Sequence, residues 1–166
     1  MLITGSMIAV GAIGFWFWLP ANGLPTAKKF IRWQFEDVRH ITPTDLAEWL
    51  ADTNRTTPVL LDIRRVDEFS VSHLSNAKRV APDATDEDIK KFLADSDQPI
   101  VVYCAVGYRS GKMARRIQGL GHTNVFNLEG AIFAWATEGN ALEGSDKVHP
   151  YSAFGRRMLA DTLEAD

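Results

Sequence analysis

Cysteine is almost absent from the sequence: Cys104 is the one cysteine among 166 residues. A single thiol excludes an internal disulfide framework, and it also excludes a zinc cluster built from several cysteines. The four histidines, at positions 40, 73, 122 and 149, are scattered and lack the spacing of a metal-ligand set. We therefore predict that the protein holds no metal and no cofactor.

A strong charge of one sign is also missing, as are internal repeats and low-complexity segments. The formal net charge is -3, from 18 basic and 21 acidic side chains. This balance gives no general reason to expect binding to nucleic acid. Hydrophobic residues make up 46% and charged residues 23% of the chain, which is typical of a globular protein. The length suits one domain with additional segments at its ends.

The N-terminus differs from the rest of the chain because residues 2–19 contain no charged side chain. These 18 residues would form a helix of about 27 Å, enough to cross the hydrocarbon core of a bilayer. Aromatic residues occupy positions 15–18 and the basic residues Lys28 and Lys29 follow, an order typical of an anchor whose C-terminal side is cytoplasmic. We predict that residues 1–20 form a single-pass transmembrane helix and that the domain faces the cytoplasm.

Two other interpretations of the N-terminus stay open. A secretory signal would be cleaved, with ANG at positions 21–23 as a small-x-small site, and the mature domain would then be exported or periplasmic. The segment could also be a helix buried in the fold. Residues 21–37 are predicted to be a juxtamembrane linker with Trp33 and Phe35 at the bilayer surface, near anionic headgroups that attract its basic residues. A strand or loop packed on the domain is the competing interpretation of this linker.

Short apolar strands alternate with amphipathic helices over residues 38–142. Helices are predicted to begin near residues 42, 66, 85, 109 and 131, and strands are predicted over residues 38–41, 58–63, 78–81, 99–103 and 125–128. Continuous apolar runs such as PIVVY at 99–103 are typical of parallel strands covered on both faces. The alternation predicts a three-layer α/β/α domain with a central parallel β-sheet.

Residues 143–166 lack this alternation and are predicted to form a C-terminal tail. The tail contains a candidate amphipathic helix with apolar side chains on one side, which we expect to dock on the domain. A partner or a membrane surface is the alternative. The side chains concerned are Phe154, Met158, Leu159 and Leu163.

Cys104 follows the strand at 99–103, and in an open α/β sheet ligands bind at the carboxyl ends of the strands. Gly107 and Arg109 come next and lead into a helix. A tight loop here would direct backbone N–H groups inward, and the positive helix end would add to this anion-binding concavity. Both effects favour a thiolate over a thiol, so we predict a reactive cysteine. A small buried residue at a strand end is the alternative interpretation.

The sequence YCAVGYRS at residues 103–110 resembles the active-site loop C-x-x-G-x-R-S/T of rhodanese-domain sulfurtransferases. Three further segments resemble motifs of this family, in the family's order. They are LLDIR at 60–64 with EF at 68–69, HLSNA at 73–77, and LEGAI at 128–132 with Trp135. The resemblance covers roughly residues 38–142 and implies the rhodanese-like fold.

The resemblance also implies a function. The Cys104 thiolate would take a sulfane sulfur from a small sulfur-containing anion such as thiosulfate, or from a persulfide, and pass it to cyanide, a small thiol or a protein thiol. Arg109 would stabilise the anionic donor or the loop. Asp62, Arg64 and Glu68 would support the loop structurally. The implied substrate-binding residues are Ala105, Val106, Gly107, Tyr108, Arg109 and Ser110.

Several departures and alternatives qualify this function. Ala105 stands where many thiosulfate-using members carry a basic residue, so the donor stays open. Ser72, Asn76 and Ala131 stand where the family patterns have glycine, so these turns are expected to differ locally. Cysteine phosphatases use H-C-x5-R, one residue longer than the loop here. A membrane-tethered rhodanese-fold module that binds a partner or senses redox state, without turnover, is the main alternative function.

Overall fold

The computed structural model describes residues 23–93 and 98–165. The predicted anchor at residues 1–20 lies outside these described residues. Within the described ranges, no helix combines the length and the apolar character needed to cross a membrane.

Strands and helices alternate along the chain as predicted, and the predicted strand and helix positions agree with the structure to within about two residues. The helices are α1 (Gly23–Gln34), α2 (Pro43–Ala51), α3 (Val66–Val71), α4 (Asp86–Lys90), α5 (Tyr108–Gly119), α6 (Ala131–Thr137), α7 (Ala153–Arg156) and a 3-10 helix (Asp161–Leu163). The strands are β1 (Arg39–Ile41), β2 (Val59–Asp62), β3 (Ser72–His73), β4 (Lys78–Arg79), β5 (Ile100–Tyr103), β6 (Val125–Leu128) and β7 (Glu143–Gly144).

Local sequence signals explain where two of these helices begin. Thr42 caps α2, since its hydroxyl oxygen accepts a hydrogen bond from the backbone N–H of Asp45 at 3.1 Å, and Pro43 occupies the first helical position. Thr85 caps α4 in the same way, and the Asp88 carboxylate accepts from the Thr85 backbone N–H in return.

Five strands form one parallel sheet in the order β1-β6-β5-β2-β4. Strand β5 lies at its centre, so the loop after β5 starts in the middle of the sheet's carboxyl edge. Strands β3 and β7 form a separate antiparallel pair. The parallel sheet that the strand and helix alternation predicted is therefore confirmed.

Helices cover both faces of the sheet, and β5 shows how its residues divide between them. Val101 and Tyr103 point into one apolar cluster, with α2 and α6. Ile100 and Val102 point into the other, with α1, α4 and α5. Alternating strand residues face opposite sides, which is why the continuous apolar run indicated a strand buried on both faces.

The predicted juxtamembrane linker contains helix α1, which packs against the domain. Ile31 and Phe35 are buried, at 4% and 1% exposure, so the prediction that Phe35 lies at a bilayer surface is wrong. The ring of Phe35 fits against Gly111 of α5, where an added Cβ would lie 2.6 Å from a ring carbon. Trp33 is 69% exposed.

The C-terminal tail docks on the domain, as predicted. Met158 and Leu159 are buried in the cluster that contains α2 and α6. The backbone N–H of Val148 donates to the carbonyl of Leu163 at 2.7 Å, so residues near the two ends of the tail contact each other. The described part of the tail contains β7 and two short helices rather than one amphipathic helix.

Candidate active site

Cys104 is the first residue after β5, and its side chain is buried at 1% exposure. Two groups of the following loop donate to its sulfur: the backbone N–H of Gly107 at 3.2 Å and the hydroxyl of Ser110 at 3.5 Å. Donors aimed at a sulfur stabilise negative charge on it. Of the predicted cradle of backbone N–H groups, the structure places that of Gly107 on the Cys104 sulfur, together with the Ser110 hydroxyl.

The loop turns at Gly107, whose φ of 112° lies in the region that favours glycine. Its carbonyl accepts hydrogen bonds from the side-chain amide of Asn127 and from the backbone N–H of Gly111, both at 3.0 Å. Asn127 is fully buried in the middle of β6. The turn that directs the Gly107 N–H toward the sulfur is thus fixed by the neighbouring strand.

The first turn of α6 supports the loop from the other side. The backbone N–H groups of Ile132 and Phe133 donate to the carbonyls of Cys104 and Ala105, each at 3.2 Å. The N-terminal N–H groups of a helix have no partner within the helix. Here they donate to the loop carbonyls. Because these carbonyls point toward α6, the side of the loop that faces the Cys104 sulfur presents backbone N–H rather than C=O groups.

Two of the three residues that stand where the family patterns have glycine adopt left-handed backbone conformations. Asn76 has a φ of 62° and Ala131 has a φ of 49°. Asparagine tolerates this region well, whereas alanine is strained in it. Ser72 has an extended φ of -163°, which needs no glycine.

Arg109 binds a carboxylate of the protein itself. Its Nη1 and Nη2 donate to the two oxygens of the Glu68 carboxylate at 2.8 and 2.7 Å. Burial of Glu68 opposes its ionisation, but the hydrogen bonds and charge of Arg109 outweigh burial, so the pKa of Glu68 is lowered. The ring of Tyr151 covers the guanidinium at 4.7 Å. This geometry favours the loop-stabilising role implied for Arg109.

Asp62 and Arg64 form a second, fully buried ion pair. Arg64 Nη2 donates to Asp62 at 2.7 Å and to the Ser72 carbonyl at 2.6 Å. The adjacent Tyr103 hydroxyl accepts from the Leu74 backbone at 3.1 Å. These contacts tie the ends of β2 and β5 to the turn near residue 72, which is consistent with the structural roles expected for this pair.

A cavity of about 650 Å3 is lined by Cys104 and Arg109. Besides the loop, its walls come from two segments that flank the rest of the domain in sequence. Helix α1 contributes Phe30, and the C-terminal tail contributes Tyr151 and Phe154. The volume lies in the range of small-molecule binding sites.

The structure brings Cys104, Gly107, Arg109, Ser110 and Glu68 together, and places Asp62 and Arg64 in the scaffold beside them. Ala105 is buried, and Val106 and Tyr108 line the cavity. The sequence analysis did not predict the cavity walls or the role of Asn127 in β6. An amide in an otherwise apolar strand is the signal that could have identified Asn127.

The fold agrees with the family comparison. A family model for the rhodanese-like domain matches residues 42–138. The chain belongs to the rhodanese-like domain family. Both cavity walls outside the loop lie beyond the matched range.

Curated relatives of this rhodanese-like protein include MoeZ from Mycobacterium tuberculosis (strain ATCC 25618 / H37Rv), a probable adenylyltransferase/sulfurtransferase. It is 29% identical over 98 residues, covering 59% of this chain and 24% of MoeZ. The adenylyltransferase and sulfurtransferase UBA4 from Candida albicans is 31% identical over 91 residues, covering 51% of this chain and 21% of UBA4. This chain therefore spans about a quarter of the length of these relatives.

Solved structures show the same fold. A thiosulfate sulfurtransferase from Pseudomonas aeruginosa has a TM-score of 0.60 at 18% identity, covering 76% of this chain and 24% of that one. A Rhodopseudomonas palustris protein described as a possible tyrosine phosphatase has a TM-score of 0.57 at 21% identity, covering 86% of this chain and 99% of that one. At these identities the likeness concerns the fold alone.

Proposed function

We propose that this rhodanese-like protein is a sulfurtransferase that carries sulfur as a persulfide on Cys104. The observation that carries the proposal is the convergence of the Gly107 N–H and the Ser110 hydroxyl on the Cys104 sulfur at a cavity. The same donors stabilise negative charge on the nucleophile before transfer, and they can stabilise the terminal sulfur afterwards. Relatives named as sulfurtransferases support this function.

The reaction has two balanced steps. The Cys104 thiolate attacks the outer sulfur of a donor, the Cys104 S–S bond forms, and the donor's bond to that sulfur breaks with its electron pair leaving on the donor fragment. With thiosulfate as donor the fragment is sulfite. An acceptor thiolate or cyanide then attacks the outer sulfur, and the Cys104 thiolate is released. This is double-displacement covalent catalysis.

Phosphatase chemistry has less support from the same geometry. A cysteine phosphatase needs a cation that binds the phosphoryl oxygens. Both terminal nitrogens of Arg109 instead bind Glu68. The loop of four residues between Cys104 and Arg109 also makes a smaller cradle than the five-residue loop of cysteine phosphatases.

We also propose that residues 1–20 tether the domain to a membrane with the domain in the cytoplasm. The support is the composition of the segment, which lacks charged residues and is followed by basic ones. A reporter fused after Asp166 tests the orientation. Activity of the reporter on the cytoplasmic face is expected, and activity on the outer face would overturn the proposal.

Intact-mass spectrometry of the full chain tests sulfur transfer. After incubation with thiosulfate and with organic persulfides, we expect a mass gain of one sulfur that cyanide removes. The Cys104→Ser variant, which keeps a small polar side chain at the site, should show no gain. A chain that gains no sulfur from any of these donors would be a binding module rather than a sulfurtransferase.

A further inference from the structure

The cavity beside Cys104 is apolar over most of its lining. Phe30 and Ile31 of α1 form one wall, and Phe154 and Met158 of the C-terminal tail form another. Val106 of the loop also lines the cavity. A ligand that reaches the Cys104 sulfur through this cavity would therefore contact mainly hydrocarbon surface.

The cations that line the cavity offer little to a small inorganic anion. Arg109 gives both Nη atoms to Glu68 and is covered by the ring of Tyr151. Arg157 is exposed to solvent, where an ionic contact contributes little. A dianion such as thiosulfate would lose hydration on entry without an unpaired buried cation to replace it among the described lining residues.

The apolar walls lie outside the matched family region. The family model ends at residue 138 and begins at residue 42. Helix α1 precedes that range, and the tail residues Phe154 and Met158 follow it. The loop supplies Cys104, and these flanking segments supply the apolar walls beside it.

We propose, on the basis of the sulfurtransferase function above, that the sulfur donor is an organic persulfide with an apolar substituent R. In the transfer step, R–S–SH and the Cys104 thiolate exchange the outer sulfur. The Cys104 S–S bond forms and the S–S bond of the donor breaks, with its electron pair leaving on R–S−. The proton of the transferred outer sulfur then moves to R–S−, which gives R–SH and the Cys104 persulfide anion. Group R lies against the apolar walls, because a cavity of about 650 Å3 is far larger than a lone sulfur needs.

Alkanethiosulfonates of increasing length test this substrate class, because the reacting group stays the same while the length of the apolar substituent R changes. Each donor R–SO2–S− transfers its outer sulfur to the Cys104 thiolate and leaves as the sulfinate R–SO2−. We would measure the rate of sulfur loading by intact mass for thiosulfate and for methane-, butane- and hexanethiosulfonate, on the full chain in phosphatidylcholine nanodiscs. The rate should rise about fourfold for each added methylene until the cavity is filled.

A matched pair of variants separates the cavity from partition of the donors into lipid. Ala153 lines the cavity and is exposed, whereas Ala160 is exposed in the same tail and does not line it. Ala153→Arg places a cation in the wall and should reduce the hexane-to-methane rate ratio at least tenfold. Ala160→Arg should leave the ratio unchanged.

The outcomes distinguish this inference from the function on which it rests. Equal loading by methane- and hexanethiosulfonate, or faster loading by thiosulfate, would overturn the apolar donor and leave sulfur transfer standing. In that case another occupant, such as an apolar peptide segment, would account for the cavity. Equal ratios in Ala153→Arg and Ala160→Arg would also overturn it. Absence of loading by every donor would overturn the proposed function itself.

Discussion

The active-site loop and the walls of the cavity are held in place in different ways. The loop between β5 and α5 is fixed by buried polar contacts, namely the amide of Asn127, the first turn of α6 and the Glu68–Arg109 pair. The walls are held by apolar packing, with Ile31 and Phe35 anchoring α1 and Met158 anchoring the tail. Polar contacts fix positions of atoms, whereas apolar packing tolerates changes of shape. We therefore expect the loop to fix the positions of the reacting atoms, and the walls to determine which donors bind.

Removal of the Arg109 side chain should have the largest effect, because the buried carboxylate of Glu68 loses the guanidinium that binds both of its oxygens. We expect Arg109→Ala to lower the free energy of unfolding by about 2–3 kcal/mol and to abolish sulfur loading. Urea unfolding and intact mass measure the two effects. Lys91→Ala removes the exposed ion pair with Asp88 and should change stability little. An Arg109→Ala variant as stable as Lys91→Ala would show that the pair does not hold the loop.

Two glycines of the same helix test the packing of α1 against the loop helix. An added Cβ at Gly111 would lie 2.6 Å from the Phe35 ring, whereas nothing lies within 4 Å of one at Gly119. Gly111→Ala should destabilise the protein by about 1–3 kcal/mol. Gly119→Ala should stabilise it by a few tenths to 1 kcal/mol through helix propensity.

The two glycine variants should also differ in donor selection. Displacement of Phe35 by Gly111→Ala moves the α1 wall, so the hexane-to-methane rate ratio should fall. Gly119→Ala should keep the wild-type ratio. If the two variants had the same hexane-to-methane rate ratio and the same stability, the position of α1 would not affect which donors react.

The sequence predicted the loop better than the walls, for a physical reason. The strand of Cys104, the turn at Gly107 and the cap at Thr42 depend on neighbouring residues, so local patterns reveal them. Helix α1 was missed because Pro, Gly and basic residues obscure its periodicity, although Ile31 and Phe35 are four residues apart as on one helical face. The partner of Arg109 lies 41 residues away, a distance over which no local pattern operates.

Acid should weaken the loop through Glu68. The folded protein lowers the pKa of this carboxyl, so the pair contributes stability above the unfolded-state value of about 4.3 and loses it as pH falls through the folded value. Between pH 6 and pH 3 the wild type should lose more stability than the Glu68→Gln/Arg109→Met double variant. Urea unfolding at each pH measures the difference. Parallel pH profiles would mean that Glu68 is not stabilised as an anion.

The smallest effect is expected at Ala131, where the turn below the loop carries a strained alanine. Its φ of 49° means that replacement by glycine should raise the free energy of unfolding, whereas its full burial means that the same replacement should lower it. Glycine relieves backbone strain of about 1–2 kcal/mol but loses a buried methyl group and adds entropy to the unfolded chain. Ala131→Gly should therefore change the free energy of unfolding by less than about 1 kcal/mol.

Ala114 provides the control for this substitution, because it is equally buried and lies inside α5 with ordinary helical geometry. Ala114→Gly has no strain to relieve, so it loses the methyl group and helix propensity together, about 2 kcal/mol. Thermal unfolding of both variants measures the contrast. If Ala131→Gly were as destabilising as Ala114→Gly, the left-handed alanine would carry no strain. The turn would then owe its shape to the buried methyl group, and the loop above it would rest on packing, as the walls do.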